Sequence, residues 1–249
     1  MHYSPILMVG GEPNSVFLEL FFKVIKKKTI KSPIILISSK KILNLQMTKL
    51  NFKKKIKLLD INKIDKYKLN NKTINLIDVN YDQNKAFEKI SKKSKVFIEN
   101  SFKLAFRLIK NNGINKFING PISKEAFLNH RFLGITEYIS NKFSTKNTCM
   151  LIYNKDLSVC PITTHLPLKL VTKEIKGKLI SDKVSLINNF YIKRFNMKPK
   201  IAILGLNPHC ESVHKFNEDE KIIKPLIKRL KNKFNISGPY PADTIFLKD

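Results

Sequence analysis

Short apolar runs alternate with amphipathic segments along this chain of 249 residues, and few folds accommodate that alternation. A short continuous apolar run is typical of a strand that is buried on both faces. An amphipathic segment, with its apolar residues on one stripe, is typical of a helix that covers such a strand. The two patterns together predict an α/β protein.

The boundaries of the predicted elements follow from the apolar period and from Gly and Pro positions. We predict strands over residues 5–9, 33–38, 116–118, 148–153, 157–162 and 201–206, strand-like stretches at 56–59 and 73–78, helices over 15–28, 99–112, 179–195 and 218–234, and a Pro-rich loop over 237–244. In the first helix, Val16, Leu20 and Val24 share one face. No repeat or linker separates the elements. We expect residues 1–249 to form one region, with two interleaved α/β subdomains.

The charge of the chain is strongly positive, with 47 Lys and Arg against 19 Asp and Glu and a net charge of +28. Such a balance raises nucleic acid as a partner. The lysines, however, are spread along the chain, and arginine, the side chain suited to bidentate phosphate and guanine contacts, is nearly absent. We therefore interpret the lysine excess as compositional drift and expect no specific nucleic-acid partner.

Three cysteines occur, at Cys149, Cys160 and Cys210, without C-x-x-C spacing. An odd number of unspaced cysteines fits a reducing compartment better than a disulfide scaffold. The N-terminal residues show no signal-peptide pattern, and no window reaches the apolar length of a membrane span. These features predict a cytoplasmic protein that does not bind a membrane.

Loops that follow the strands of an α/β sheet gather into its ligand crevice, so residues directly after predicted strands are the first candidates. The turn at 119–125 offers backbone amides and Lys124 to a phosphate, although Ser123 is equally an ordinary N-cap. His165 and His209 each follow a strand and stand next to a proline-directed turn.

Two imidazoles placed in this way favour a borderline divalent metal such as zinc, although a lone histidine is more often structural or exposed. The other histidines, at positions 2, 130 and 214, are interpreted as exposed. Cys210 is interpreted as a packing residue rather than a thiolate ligand. Neither G-x-G-x-x-G nor a P-loop motif occurs, so a standard dinucleotide or P-loop site is not supported.

Five blocks of the chain resemble, in sequence and in order, the 4-hydroxythreonine-4-phosphate dehydrogenases of vitamin B6 biosynthesis. The blocks are Asn-Gly-Pro-Ile-Ser-Lys at 119–124, Gly-Ile-Thr-Glu-Tyr at 134–138, Thr-His-Leu-Pro-Leu-Lys at 164–169, Leu-Asn-Pro-His at 206–209 and Gly-Pro-Tyr-Pro-Ala-Asp-Thr at 238–244. The resemblance extends over most of the chain and is thin between residues 40 and 82.

The resemblance implies a three-layer α/β/α fold similar to isocitrate and isopropylmalate dehydrogenases. It implies oxidation of 4-phosphooxy-L-threonine, a phosphorylated hydroxy amino acid, with NAD or NADP, followed by decarboxylation. A divalent metal (zinc, magnesium or cobalt) and a homodimer with a shared active site are also implied. By the same resemblance, His165 and His209 match two metal ligands and Thr136 matches a substrate contact.

Four departures from the family pattern bear on function. Ile135 stands where the family has a substrate-binding histidine, and residues 210–212 replace a small residue and glycines. The glycine-rich turn of the family is Gly-Glu-Pro-Asn-Ser-Val-Phe-Leu-Glu at 11–19, with bulkier side chains. The family's third metal histidine would lie beyond Asp249, so we expect this chain to be a fragment that lacks the C-terminal part of the fold.

These departures leave two alternatives to the dehydrogenase of vitamin B6 biosynthesis. Ile135 would suit an enzyme that oxidises another phosphorylated hydroxy acid, such as a four-carbon sugar acid phosphate. A degenerate, non-catalytic homologue that retains the fold is the second alternative.

Overall fold

The computed structural model describes residues 3–128, 132, 134–145, 147–214 and 216–247. The chain divides into two compact units, Met1–Arg131 and Phe132–Asp249. Within the described residues, no helix is long and apolar enough to span a bilayer.

The first unit contains a parallel sheet of five strands in the order β3-β4-β2-β1-β5. Its strands are β1 (Ile6–Val9), β2 (Ile34–Ser38), β3 (Ile56–Leu58), β4 (Ile74–Asp78) and β5 (Phe117–Asn119), and its helices are α1 (Phe17–Lys27), α2 (Lys40–Lys49) and α3 (Lys95–Asn111). Short helical turns occupy Ile61–Lys66, Lys92–Ser94 and Lys124–Leu128. The α/β class and the strands predicted around these positions are confirmed.

The central strand β2 is buried at every residue, which requires cover on both faces of the sheet. Helix α3 contributes to this cover through Phe102, which is fully buried. The Phe102 ring lies 5.7 Å from the ring of Phe127 and 5.6 Å from that of Phe106. The contact between the Phe102 and Phe127 rings therefore packs α3 against the turn at Lys124–Leu128, which follows β5.

The face that Val16, Leu20 and Val24 were predicted to share is the exposed face of α1. Val16, Leu20 and Val24 do share one face, but they are 57%, 53% and 45% exposed. The buried face carries Phe21 and Phe22 instead, and the Phe22 ring stacks at 4.6 Å on the ring of Phe52. Because aromatic rings remove more apolar surface from water than valines do, the face that carries them is the one that packs.

Helix α2 lies where the sequence pattern was weak, and it was not predicted. Ser39 caps its start by accepting a hydrogen bond from the Ile42 amide at 3.4 Å. Gln46 is fully buried on this helix, and its Nε2 donates to the carbonyl oxygens of Pro13 at 2.8 Å and Ala86 at 3.0 Å. Because a polar residue occupies a core position, the sequence of this helix does not show a clear apolar period.

The second unit packs helices against a parallel pair of strands. Its elements are α4 (Ile135–Lys142), α5 (Leu168–Glu174), α6 (Gly177–Phe195), β6 (Ile201–Leu204), α7 (Lys224–Leu230) and β7 (Ile236–Tyr240). Residues of α6, α7 and both strands form its core, among them Ile180, Val184, Ile203, Leu226 and Ile227. The predicted helix over 179–195 and the strand that begins at residue 201 are confirmed.

Three predictions in this unit need correction. The strands expected over 148–153 and 157–162 reduce to one antiparallel pair, Ile152 with Val159, since an isolated two-stranded ribbon has little to stabilise it. The loop expected over 237–244 begins as strand β7, because its first residues pair with β6. The helix expected over 218–234 begins as a π-helical turn at Asp219–Ile223 and ends at Leu230.

Candidate functional site

The candidate residues are distributed over both units. Lys124 belongs to the first unit, where it is exposed and begins a π-helical turn of five residues. Ile135, Thr136, His165 and His209 belong to the second unit. Two of the exposed histidines expected from the sequence, at positions 2 and 130, lie outside the described residues, and His214 is exposed as predicted.

The loop that carries Lys124 is held against the end of β1. The Gly120 amide donates to the Val9 carbonyl at 2.7 Å, and the Glu12 amide donates to the Pro121 carbonyl at 2.8 Å. The Glu12 side chain is buried beneath this turn, and its carboxylate accepts a hydrogen bond from the Ser94 hydroxyl at 2.5 Å. The turn at 11–19, with its bulky side chains, therefore contacts the loop that carries Lys124 and holds it in place.

Helix α4 begins beside a candidate metal ligand. Its N-cap residue is Gly134, followed by the half-buried Ile135 and the exposed Thr136. A Cβ atom added at Gly134 would lie 3.4 Å from Nε2 of His165 and 3.0 Å from Oε2 of Glu137. Imidazole and carboxylate therefore face the same small space, where a Cβ at position 134 would make tight contacts with both.

Glu137 is the acidic member of this cluster. Its Oε1 accepts a hydrogen bond from the Thr164 hydroxyl at 3.4 Å. Its Oε2 is buried and has no hydrogen-bond partner within the described part of the chain. A buried carboxylate oxygen without a donor is costly, so this position suits a cation or a proton donor.

His209 lies on a loop whose backbone is fixed by a buried carboxylate. Asp219 is fully buried, and it accepts hydrogen bonds from the backbone amides of Leu206 and Asn207, both at 2.9 Å. It also accepts one from Nδ2 of Asn207 at 2.8 Å. Three donors converging on one carboxylate hold the segment that leads from β6 to His209.

Both candidate metal ligands have left-handed backbone conformations, with φ of 58° at His165 and 54° at His209. The left-handed region costs a residue with a Cβ about 1–2 kcal/mol. Residues held in this way cluster at functional sites, where the surrounding structure imposes the conformation. Both imidazoles are exposed and so accessible to a ligand.

Cys210 follows His209 and is buried, as predicted. Burial, followed by the nearby Asp219 carboxylate, raises the pKa of its thiol. A thiol with a raised pKa is protonated at neutral pH, and the thiolate is the form that binds metal. The packing interpretation of Cys210 therefore agrees with its surroundings.

The donor set for a divalent metal is partial in the part of the chain that the structure describes. No group of three or more His, Cys, Asp or Glu side chains is placed there to hold one ion. Two exposed imidazoles and the unpaired oxygen of Glu137 are nevertheless donors of the kind that zinc, cobalt and magnesium accept. Of these three, only His165 and Glu137 face a common space, beside Gly134, and the described part of the chain does not bring all three together around one ion.

Comparison with known proteins supports the resemblance found in the sequence. The profile of the family described as "Pyridoxal phosphate biosynthetic protein PdxA" matches residues 29–249. The 4-hydroxythreonine-4-phosphate dehydrogenase of Sulfurihydrogenibium sp. (strain YO3AOP1) is 32% identical over 246 residues, which cover 95% of this chain and 74% of that protein. The enzyme of the same name from Aquifex aeolicus (strain VF5) is 28% identical, with the same coverage of both chains.

This chain belongs to the PdxA family.

Solved structures of PdxA proteins also share the fold. A 4-hydroxythreonine-4-phosphate dehydrogenase from Klebsiella pneumoniae superposes with a TM-score of 0.81 at 22% identity, covering 98% of this chain and 77% of that chain. One from Burkholderia phymatum gives a TM-score of 0.80 at 23% identity, covering 99% and 76%. These structures and the family match confirm the predicted α/β fold and the predicted family of oxidoreductases.

Two residues that shape the site of this PdxA chain were missed in the sequence. Glu137 stands inside the quoted block Gly-Ile-Thr-Glu-Tyr, so its place beside Thr136 was a signal that was not used. Asp219 gave no local signal, because a carboxylate in an amphipathic helix usually faces water. Asp219 reaches the loop of His209 only in the folded chain, where it accepts hydrogen bonds from the amides of Leu206 and Asn207.

We expect Asp219→Ala to destabilise the chain by about 3 kcal/mol, because it leaves three donors without their charged acceptor. Urea unfolding followed by circular dichroism measures the change. Glu211→Ala, which removes an exposed carboxylate from the same loop, is the matched control and should change the free energy of unfolding by less than about 0.5 kcal/mol. Equal stabilities of the two variants would contradict the role of Asp219.

Proposed function

We propose that this chain acts as a 4-hydroxythreonine-4-phosphate dehydrogenase in vitamin B6 biosynthesis. The observation that carries the proposal is the 32% identity, over 95% of the chain, to a protein of that name. The reaction is oxidation of the hydroxyl of 4-phosphooxy-L-threonine, with hydride transfer to NAD or NADP and then loss of carbon dioxide from the keto acid. The alternative enzyme, which oxidises another phosphorylated hydroxy acid, differs in its substrate and not in its type as a dehydrogenase.

In this proposal, His165 and His209 bind a divalent metal: zinc, magnesium or cobalt. When bound, such an ion polarises the substrate hydroxyl and stabilises negative charge on its oxygen during hydride transfer and decarboxylation. The Glu137 carboxylate is placed to orient the His165 imidazole or to share its ligand, since both face the space beside Gly134. Carboxylate partners of this kind fix the orientation of a histidine ligand.

Thr136 is the substrate contact proposed in the second unit, and Lys124 is a separate phosphate contact proposed in the first unit. Thr136 is exposed in the first turn of α4, where its hydroxyl can hydrogen-bond to a substrate. Lys124 is exposed on its loop and carries the charge that a phosphate requires. The half-buried Ile135 offers no polar group at the position of the family histidine.

The function is tested with the protein expressed from its native gene, supplied with 4-phosphooxy-L-threonine, NAD or NADP, and each divalent metal in turn. Reduced nicotinamide and carbon dioxide are both measured. We expect His165→Asn and His209→Asn to lower metal affinity by about 100-fold or more, since even partners outside the first ligand shell contribute about 10–100-fold. His214→Asn is the matched control, because it removes an exposed histidine from the same unit.

Metal bound equally well by all three histidine variants would overturn the assignment of the ligands. A wild-type protein that binds no metal and reduces no cofactor would favour the degenerate, non-catalytic homologue. If the variants without His165 or His209 turn over 4-phosphooxy-L-threonine as fast as the wild type, the proposed activity stands and the proposed metal site is rejected.

Ile135 favours a second candidate substrate, a four-carbon sugar acid phosphate, because it removes a polar contact to the amino-acid substrate. We expect Ile135→His to raise kcat/KM for 4-phosphooxy-L-threonine about fivefold, the effect of one net hydrogen bond of about 1 kcal/mol. Ile135→Leu is the control that keeps the side chain apolar. If the wild type prefers the sugar acid phosphate and Ile135→His impairs its turnover, the second candidate replaces the first.

We propose a homodimer as the functional form, as the family resemblance implies. An apolar surface at the end of α6 supports it: Phe190 is 40% exposed and Phe195 is 42% exposed, with their rings 5.6 Å apart. Aromatic side chains of this kind are enriched where proteins associate. The partner proposed for this surface is a second copy of the chain.

Sedimentation velocity tests the dimer. We expect Phe190→Ser to weaken association about tenfold or more, since removal of a central aromatic anchor typically costs about 2 kcal/mol. Val213→Ser removes a fully exposed apolar side chain in the same unit and should leave association unchanged. A wild-type chain that stays monomeric at high concentration would refute the dimer.

A further inference from the structure

Lysines collect where the strands of the first unit begin. All strands of a parallel sheet run in the same direction, so the segments that precede them lie side by side at one end, which we call the amino end. At the usual spacing between strands, five strands make this end roughly 20 Å wide. A lysine stands within three residues of the start of four strands: Lys31 before β2, Lys55 before β3, Lys72 before β4 and Lys116 before β5.

Hydrogen bonds fix the segments that carry these lysines. The Ile74 amide, at the start of β4, donates to the Lys55 carbonyl at 2.8 Å. Nδ2 of Asn71 donates to the carbonyl oxygens of the two residues that flank Lys31, both at 2.8 Å. The backbone that precedes β2, β3 and β4 therefore forms one connected surface, on which the lysines keep their relative places.

Two lysine runs at helix ends widen the same surface. Lys26–Lys28 stands at the carboxyl end of α1, and Lys53–Lys55 follows α2. The rings of Phe22 and Phe52 stack at 4.6 Å and bring α1 against the second run. Five of the six side chains are exposed and that of Lys54 is half-buried, and within the described residues none of them forms an ion pair.

Positive and negative side chains are separated along the first unit. Between Glu19 and Asp60 the chain contains 12 lysines and no Asp or Glu. Beyond the carboxyl ends of the strands, Lys41 does find an acid, since its Nζ lies 2.5 Å from Oδ1 of Asp82. Near the amino end, Asp65 is an acidic exception and is bound to an asparagine side chain. Compositional drift accounts for the number of lysines but gives no reason for this separation.

An open concavity lies beside Lys53–Lys55. It is lined by these lysines and by Asn44, Met47, Thr48, Asn51 and Phe52. Met47 and Phe52 are half-buried and offer apolar surface, whereas Asn44 and Asn51 are exposed and offer amide donors and acceptors. A nucleobase has an apolar face and a polar rim, so a concavity of this composition beside several cations suits a base that is attached to a phosphate backbone.

We propose that the amino end of the sheet binds single-stranded nucleic acid through its phosphates, without sequence preference, and that a base enters the concavity beside Lys53–Lys55. Lysine carries a point charge without the planar fork of arginine, so it neutralises phosphates and does not read base edges. This agrees with the expectation that no specific nucleic acid is recognised. Because the loop of Lys124 follows β5 at the opposite end of the sheet, the surface is separate from the proposed dehydrogenase site.

The test is fluorescence anisotropy of a labelled oligouridylate, titrated with the full chain at several salt concentrations. We expect the logarithm of the association constant to fall against that of the salt concentration with a slope of about −4, the value for about six neutralised phosphates of a single strand. Lys53→Gln, Lys54→Gln and Lys55→Gln, made together, should weaken binding at least about tenfold and make the slope shallower by about 2.

The matched control is Lys85→Gln, Lys89→Gln and Lys92→Gln, made together. It removes the same charge from exposed lysines that follow β4 at the opposite end of the sheet. At 0.1 M salt it should change the affinity by less than about threefold, because charges beyond about 10 Å are largely screened. An oligothymidylate of the same length should bind as the oligouridylate does, since the two share the phosphate backbone.

Several outcomes would contradict the proposal. Equal weakening by the two triple variants would show a general effect of net charge and reject this surface. An affinity that does not change with salt would reject contacts to phosphates. A duplex bound as tightly as the single strand would reject the entry of a base into the concavity. Phosphatidylserine vesicles that displace the oligouridylate from the wild type, and bind the Lys53–Lys55 variant more weakly, would replace nucleic acid with a membrane surface as the partner.

Discussion

The burial of β2 on both faces is the constraint on which the first unit depends. All five residues of Ile34–Ser38 are buried, so their apolar side chains need cover above and below the sheet. Helices supply that cover, and the strands can then run parallel because each helix returns the chain to the same end of the sheet. The ends of β1 and β5 consequently meet at one edge, where the Glu12 amide binds the Pro121 carbonyl and fixes the loop of Lys124.

Elements that follow a clean apolar period were predictable from the sequence, and elements shaped by a polar side chain were not. Helix α3 and the central strands carry continuous apolar patterns, and both were found. Helix α2 was missed because Gln46 occupies its core position, where its Nε2 donates to the carbonyl oxygens of Pro13 and Ala86. Helix α1 was found, but its period did not show which face packs, because the exposed Val16, Leu20 and Val24 have the same period as the buried residues.

The candidate site shows the same division between local and distant information. His165 and His209 could be selected because each follows a predicted strand and has a proline within two residues, although only the strand before His209 forms, as β6. The partners that shape their surroundings could not be selected in this way, since Glu137 is 28 positions from His165 and Asp219 is separated from Leu206 by the whole loop. Hydrogen bonds that close over such distances depend on the packed fold and leave no periodic trace in the sequence.

The backbone conformation at the two candidate histidines is unfavourable for the stability of the chain. A left-handed residue other than glycine costs about 1–2 kcal/mol, and His165, His209 and Cys210 all adopt this conformation. At His209 the buried Asp219 offsets the cost with three charge-assisted hydrogen bonds to the preceding segment. At His165 the neighbouring carboxylate of Glu137 keeps an unpaired buried oxygen, a second unfavourable feature at the same place. At His165, an unfavourable backbone and a carboxylate oxygen without a hydrogen-bond partner in the described residues are two features that a bound cation would offset.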